Sequence, residues 1–120
     1  MIKEDYVSCE IAKLLRQKGF NESCFAQYDG HKEITFGLNK NDWSDSSRYN
    51  PSAPTLQVAM KWLREVHKVD ITVDPHKVGN NWIYQFHICQ NQNYLFSKDI
   101  DTSYENCAES AIKYCLENLI

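Results

Sequence analysis

SAPTLQVAMKWLREVHKV (residues 52–69) and TSYENCAESAIKYCLENLI (residues 102–120) bracket the segment whose reading decides the fold. Both repeat apolar residues at the three-to-four spacing of an amphipathic helix. Between them, residues 69–74 (VDITVD), 82–89 (WIYQFHIC) and 94–97 (YLFS) read as strands. The first two alternate at the two-residue spacing of a half-buried strand. Helix–strand–strand–strand–helix is an order in which two helices can cover one face of a small antiparallel sheet.

Within that unit, a helix starting near Pro54 carries Leu56, Ala59, Met60, Leu63 and His67 on one face, widened by Trp62 and Val66. Pro54 suits a first helical turn because its φ is already set. Val69, Ile71 and Val73 form one face of the next strand, opposite Asp70, Thr72 and Asp74. Asp74-Pro75 and Gly79-Asn80 punctuate the turn that follows. Trp82, Tyr84, Phe86 and Ile88 then share a face, opposite Ile83, Gln85, His87 and Cys89. Gln90 to Asn93 reads as a turn. Thr102 with Glu105 forms a capping box worth roughly 1 kcal/mol to the last helix. Tyr104, Cys107, Ala108, Ala111, Ile112, Cys115, Leu116 and Leu119 make that helix's apolar stripe.

Upstream, Val7, Ile11, Leu14 and Leu15 predict a helix over Lys3–Lys18 with Tyr6 beside the stripe. Gly19 supplies a left-handed cap, and Phe20 can fold back onto the last turn. A strand over Cys24–Tyr28, a two-residue Asp29-Gly30 turn and a return strand over His31–Gly37 complete a hairpin. Residues 39–53 are a polar, Asn- and Ser-rich loop, longer than most connections in compact domains. The expectation is an α+β single domain over residues 1–120, in the order αββ-αβββα. Its antiparallel sheet would have about five strands, with the second and third helices packed on one face and the first alongside.

The chain has 120 residues, a formal charge of −3 and an apolar content of 42%. That is enough to bury a core without staples, and too apolar for a disordered chain. The mild acidity, with basic residues scattered, argues against nucleic acid, where counterion release rewards clustered cations. Five cysteines, an odd count with no CxxC pair, do not form a secreted disulfide framework. No apolar run approaches a membrane span. A cytoplasmic protein without membrane contact, monomeric or homodimeric, is expected.

MIKEDYVSCEIAKLL, APTLQVAMKWLREVHKV and AIKYCLENLI resemble a family of small uncharacterised proteins encoded by gut bacteria and their phages. That resemblance implies a phage or mobile-element factor acting on a host protein. At the level of element order, residues 53–120 are similar to the double-stranded RNA-binding domain, with Asp74-Pro75-His76 in place of its first hairpin loop. The lysine cluster of that family is missing, because the matching stretch, residues 99–106, brings Asp99, Asp101 and Glu105 to the last helix.

No cofactor or metal is expected, since His87-x-Cys89 is the one close ligand pair and structural zinc sites bring two. A Cys–His nucleophile is disfavoured because His87 and Cys89 stand roughly 7 Å apart along one strand. Trp43, Arg48 and Tyr49 in the long loop are of the types that anchor interfaces. Gln85 and His87, grouped with Gln27 or Glu33 and with Thr35, are expected to line a polar groove on the sheet face away from the helices. The sequence therefore points to non-catalytic binding of a host protein, with Trp43, Arg48 and Tyr49 as anchors and Gln85 and His87 as secondary contacts. Sequestering a small nucleotide-like ligand, binding double-stranded RNA and cysteine-dependent catalysis are the alternatives.

Overall fold

The computed structural model describes residues 2–22, 24–29, 31–37, 51–101 and 103–120. The described elements run α1 (Cys9–Gln17), β1 (Ala26–Tyr28), β2 (Ile34–Phe36), β3 (Ser52–Ala53), α2 (Leu56–His67), β4 (Val69–Val78), β5 (Asn81–Gln90), β6 (Asn93–Asp101) and α3 (Tyr104–Asn118). The class is α+β, as expected. The sheet is not: among the described residues there are two three-stranded antiparallel sheets, ordered β2-β1-β3 and β4-β5-β6. Two compact units result, Met1–Val58 and Ala59–Ile120, with the boundary inside α2.

In the first unit, Ser8 caps α1 by accepting the Ile11 N–H at 3.3 Å, so the helix starts later than Lys3. The preceding residues are extended instead. Val7 N–H donates to the Pro54 carbonyl at 3.0 Å and Leu56 N–H to the Asp5 carbonyl at 2.9 Å, with a bridge between Tyr6 and Thr55. The α1 terminus follows the sequence reading. Gly19 adopts φ +99°, its N–H reaches the Arg16 carbonyl, and Phe20 N–H reaches the Leu15 carbonyl at 2.9 Å. This is a Schellman cap, and it folds the fully buried Phe20 back beneath the helix.

The hairpin loop differs from the two-residue turn expected at Asp29-Gly30. Tyr28 pairs with Ile34, so the connection spans residues 29–33. The Asp29 carboxylate organises it, accepting the N–H groups of His31 at 2.8 Å and Glu33 at 3.0 Å. Among the described residues of the loop, Lys32 is left-handed, at φ +63°. Gly30 lies outside the described residues. Ser52 and Ala53, expected at the end of the polar loop, pair with Gln27 and Ala26 as β3. With β2 on one edge and β3 on the other, β1 is the centre of its own sheet.

The second unit begins at Ala59, inside α2. Thr55, not Pro54, starts α2, its hydroxyl accepting the Val58 N–H at 3.1 Å. Strand β4 runs straight through Asp74-Pro75, where the sequence suggests a turn, and Pro75 pairs with Tyr84. An edge strand tolerates proline because an outward-facing N–H has no ladder partner to lose. The turn lies at Gly79-Asn80, with Gly79 at φ +61°. Strand β6 extends past Ser97 to Asp101, with irregular register near Ile88/Cys89 and Tyr84/Gln85. Ser103, rather than Thr102, caps α3 by accepting the Asn106 N–H at 3.2 Å; Thr102 lies outside the described residues.

Helix α3 runs across all three strands of this sheet. Cys107, Ala108, Ala111, Ile112, Cys115 and Leu116 are buried along it, and Val69, Phe86 and Ile88 are buried on the strands. Cys107 and Cys115 act as small core residues, as their helical spacing suggests. Phe96 stacks on Tyr114 with centroids 4.4 Å apart, and Tyr84 meets Tyr104 edge-on at 6.0 Å.

Two measurements test these local structures. The β5–β6 turn places both Asn91 (φ +52°) and Gln92 (φ +67°) in the left-handed region, where asparagine is tolerated and glutamine is strained. Gln92→Gly should raise the unfolding free energy by about 0.5 kcal/mol in urea melts; a lower midpoint would show that the Gln92 side chain contributes more than its backbone costs. The Asp29 carboxyl is held below the ordinary aspartate range, first by the Glu33 N–H and then by the His31 N–H. A depressed folded-state pKa stabilises above the unfolded value and is lost as pH falls through the folded one. The stability deficit of Asp29→Ala should therefore be largest at neutral pH and shrink in acid, and a pH-independent deficit would contradict the role given to the charge.

Candidate functional site

The register of β4, β5 and β6 sorts their side chains onto two faces. Val73, Phe86 and Lys98 form one row on the α3 side, and Ile71, Ile88 and Phe96 form the next. On the opposite side the rows are Thr72–His87–Ser97 and Asp74–Gln85–Asp99, with His76 and Ile83 beyond. Every described residue in those three rows is exposed or half-buried. Gln85 and His87 thus stand side by side on an uncovered polar face, as the alternation in β5 predicts. Gln27, Glu33 and Thr35, grouped with them from sequence, belong to the first unit, where Gln27 pairs with Thr35.

His87 is held from both ring nitrogens. Its Nδ1 lies 2.6 Å from the Ser97 hydroxyl, directly across on β6. Its Nε2 faces the Asp74 carboxylate on β4 at 3.3 Å. An ionised carboxylate only accepts, so Nε2 donates to Asp74; in the neutral ring Nδ1 then accepts from the Ser97 hydroxyl. A second diagonal pair, His76 with Asp99, is longer at 4.0 Å. Both pairs are well solvated, with 34% of the His87 side chain and 51% of the Asp74 side chain exposed. Screening keeps their contribution to stability small.

Charge is segregated across the sheet. Asp70, Asp74 and Asp99 stand on the uncovered face, whereas Lys77 and Lys98 stand opposite Trp82 and Phe86 on the other. No described lysine or arginine of the three strands points to the uncovered side. Lys77 instead sits over the Trp82 ring, 6.0 Å from its centroid.

Asp74, His87 and Ser97 include the residue types of an acyl-transfer triad. Burial, aided by the charge of Glu22, pushes the Cys24 thiol up to about 11, and burial pushes Cys115 up to about 12. Both are protonated at neutral pH and poor nucleophiles. Among the described residues no group of three or more His, Cys, Asp or Glu side chains is arranged to hold a metal ion. No described helix is long and apolar enough to cross a membrane.

Trp43, Arg48 and Tyr49 lie outside the described residues. The site members missed from sequence are Asp74 and Ser97, the partners of His87. Asp74 is readable in principle from the two-residue turn at Gly79-Asn80, whereas the same count from Asn91-Gln92 sets Phe96 opposite His87, and the register shift at Ile88/Cys89 brings Ser97 there instead. Comparison of the chain with protein-family models, curated proteins and solved structures gives no match.

Nitrogen-15 NMR of the imidazoles checks the site directly. His87 should be the Nε2–H tautomer near neutral pH, and Ser97→Ala should shift Nδ1 while leaving the melting temperature within a few degrees. A dominant Nδ1–H form would reverse the roles given to Asp74 and Ser97.

Proposed function

We propose that the chain is a non-catalytic binding protein whose uncovered β4–β5–β6 face takes a lysine- or arginine-bearing segment of a protein partner. The observation that supports this reading is the segregation of Asp70, Asp74 and Asp99, with Gln85 and His87, away from the lysines of the same strands. Such a face attracts ammonium or guanidinium groups and repels phosphate, so a basic protein segment fits it better than RNA does. Ser97 and Asp74 hold the His87 ring in one orientation, which lowers the ordering cost of recognition. The resemblance to phage and gut-bacterial proteins suggests a host protein as the partner. On residue type, Trp43, Arg48 and Tyr49 remain anchors in this proposal.

A fluorescent nona-arginine peptide is a sufficient probe. Its anisotropy should report binding that weakens as salt rises, and Asp74→Asn combined with Asp99→Asn should weaken it by about tenfold. Glu105→Gln combined with Glu117→Gln removes the same charge from exposed positions on α3, on the other side of the sheet, and should change affinity much less. Equal losses in the two double variants would mean that net charge, and not this face, attracts the peptide.

A further inference from the structure

A cavity of about 390 Å³ is lined by Arg64, Lys68, Asp70, Asn91 and Gln92. Asp70 also stands in the uncovered rows of the second sheet, so the cavity lies at the Asp70 end of the proposed partner face. Its backbone is held in an unusual shape. Lys68, Asn91 and Gln92 all adopt left-handed φ, at +59°, +52° and +67°, and the Asn91 N–H donates to the Lys68 carbonyl at 3.1 Å. Such conformations persist where the surroundings over-determine them, as at ligand clamps. Arg64 lies in the last turn of α2, and Lys68 directly follows that helix. The Lys68 ammonium donates to the Glu65 carbonyl at 3.2 Å, and among the described residues neither cation pairs with a carboxylate. Two full positive charges outweigh the one carboxylate of Asp70 and the roughly half-unit negative end of α2. The Asn91 and Gln92 carboxamides add N–H donors.

We propose that this cavity captures the C-terminal carboxylate of the basic segment taken by the neighbouring face, an inference that rests on that reading of the face. The ligand must then carry mixed charge, an anion for Arg64 and Lys68 and cations for Asp74 and Asp99. A phosphate ester meets the first demand and is repelled by the aspartates. A basic chain ending in its own carboxylate meets both. Arg64 suits that end because its planar fork can hold both carboxylate oxygens. The spacing agrees. The Asp74–Gln85–Asp99 row lies four residues along β4 from Asp70, about 13 Å. An extended segment lying along the strands rises at the same rate, so with its terminus in the cavity its fourth preceding residue comes level with that row.

Fluorescent nona-arginine with a free C-terminal carboxylate, compared by anisotropy with the same peptide as its C-terminal amide, tests the capture. The amide carries one more net positive charge, so attraction to a chain of formal charge −3 alone favours the amide. Capture of the terminus reverses that order, and the free acid should bind at least about threefold more tightly. Arg64→Gln combined with Lys68→Gln should abolish the preference, weakening the acid by a similar factor and leaving the amide unchanged or tighter. Both residues are exposed, and matched thermal melts establish that the fold is retained. Suppose Asp74→Asn with Asp99→Asn weakens both peptides: an amide bound as tightly as the acid, or an acid preference that survives the Arg64 and Lys68 variant, would then overturn the proposal alone. Insensitivity of both peptides to the Asp74 and Asp99 variant marks failure of the partner face instead, and the capture falls with it.

Discussion

Burial of Phe86 and Ile88, at 1% and 0% exposure, allows strand β5 one register beneath α3. A slip of a single residue would drive Gln85 and His87 into the core and lift both apolar side chains into water. Two such exposures would cost several kcal/mol, at about 1.5–3 kcal/mol for each side chain. The polar face follows from that constraint. Once Phe86 and Ile88 point toward α3, Gln85, His87 and Cys89 must point away, and the two flanking hairpins bring Asp74 and Ser97 to His87. The His87 network is thus a consequence of core packing, positioned by residues that never touch it.

The first unit is organised by a different constraint, the need to satisfy backbone groups over short elements. Its strands are two or three residues long, so ladder bonds alone hold little. Residues 5–7 exchange hydrogen bonds with Pro54 and Leu56, and the Tyr28 hydroxyl reaches the Val7 carbonyl at 2.6 Å. Asp29 closes the β1–β2 loop through its carboxylate. Here side-chain and capping bonds supply what long strands supply in the second sheet.

That contrast explains how much was legible in the sequence. The β4 and β5 alternation is long enough to carry its own signal, and the faces read from it match the register found. The α1 cap was legible because Gly19-Phe20 has a specific geometry to satisfy. Residues 52–53 were not legible as a strand, since two residues carry no period and pair only because β1 has an open edge. Pro75 misled because proline ends a central strand but not an edge strand, and edge position is a tertiary property. Asp29-Gly30 misled for a related reason: the dipeptide favours a tight turn, but the Asp29 side chain satisfies the amides of a wider loop. Gln85 and His87 could be placed on a face from β5 alone, whereas Asp74 and Ser97 required the pairing of three strands.

The two faces of the second sheet also differ in what substitution there would mean. Phe86, Ile88 and the buried residues of α3 carry the packing, so changes among them act through stability, typically by 2–5 kcal/mol for truncation to alanine. Asp74, Gln85, Ser97 and Asp99 are solvated and stand outside that packing. Replacing them leaves the ladder of β5 and its buried side chains untouched, so the stability cost should remain within about 1 kcal/mol. A loss of binding caused at those positions can then be read as loss of recognition. The same core that dictates which residues face outward makes their roles separable from the fold.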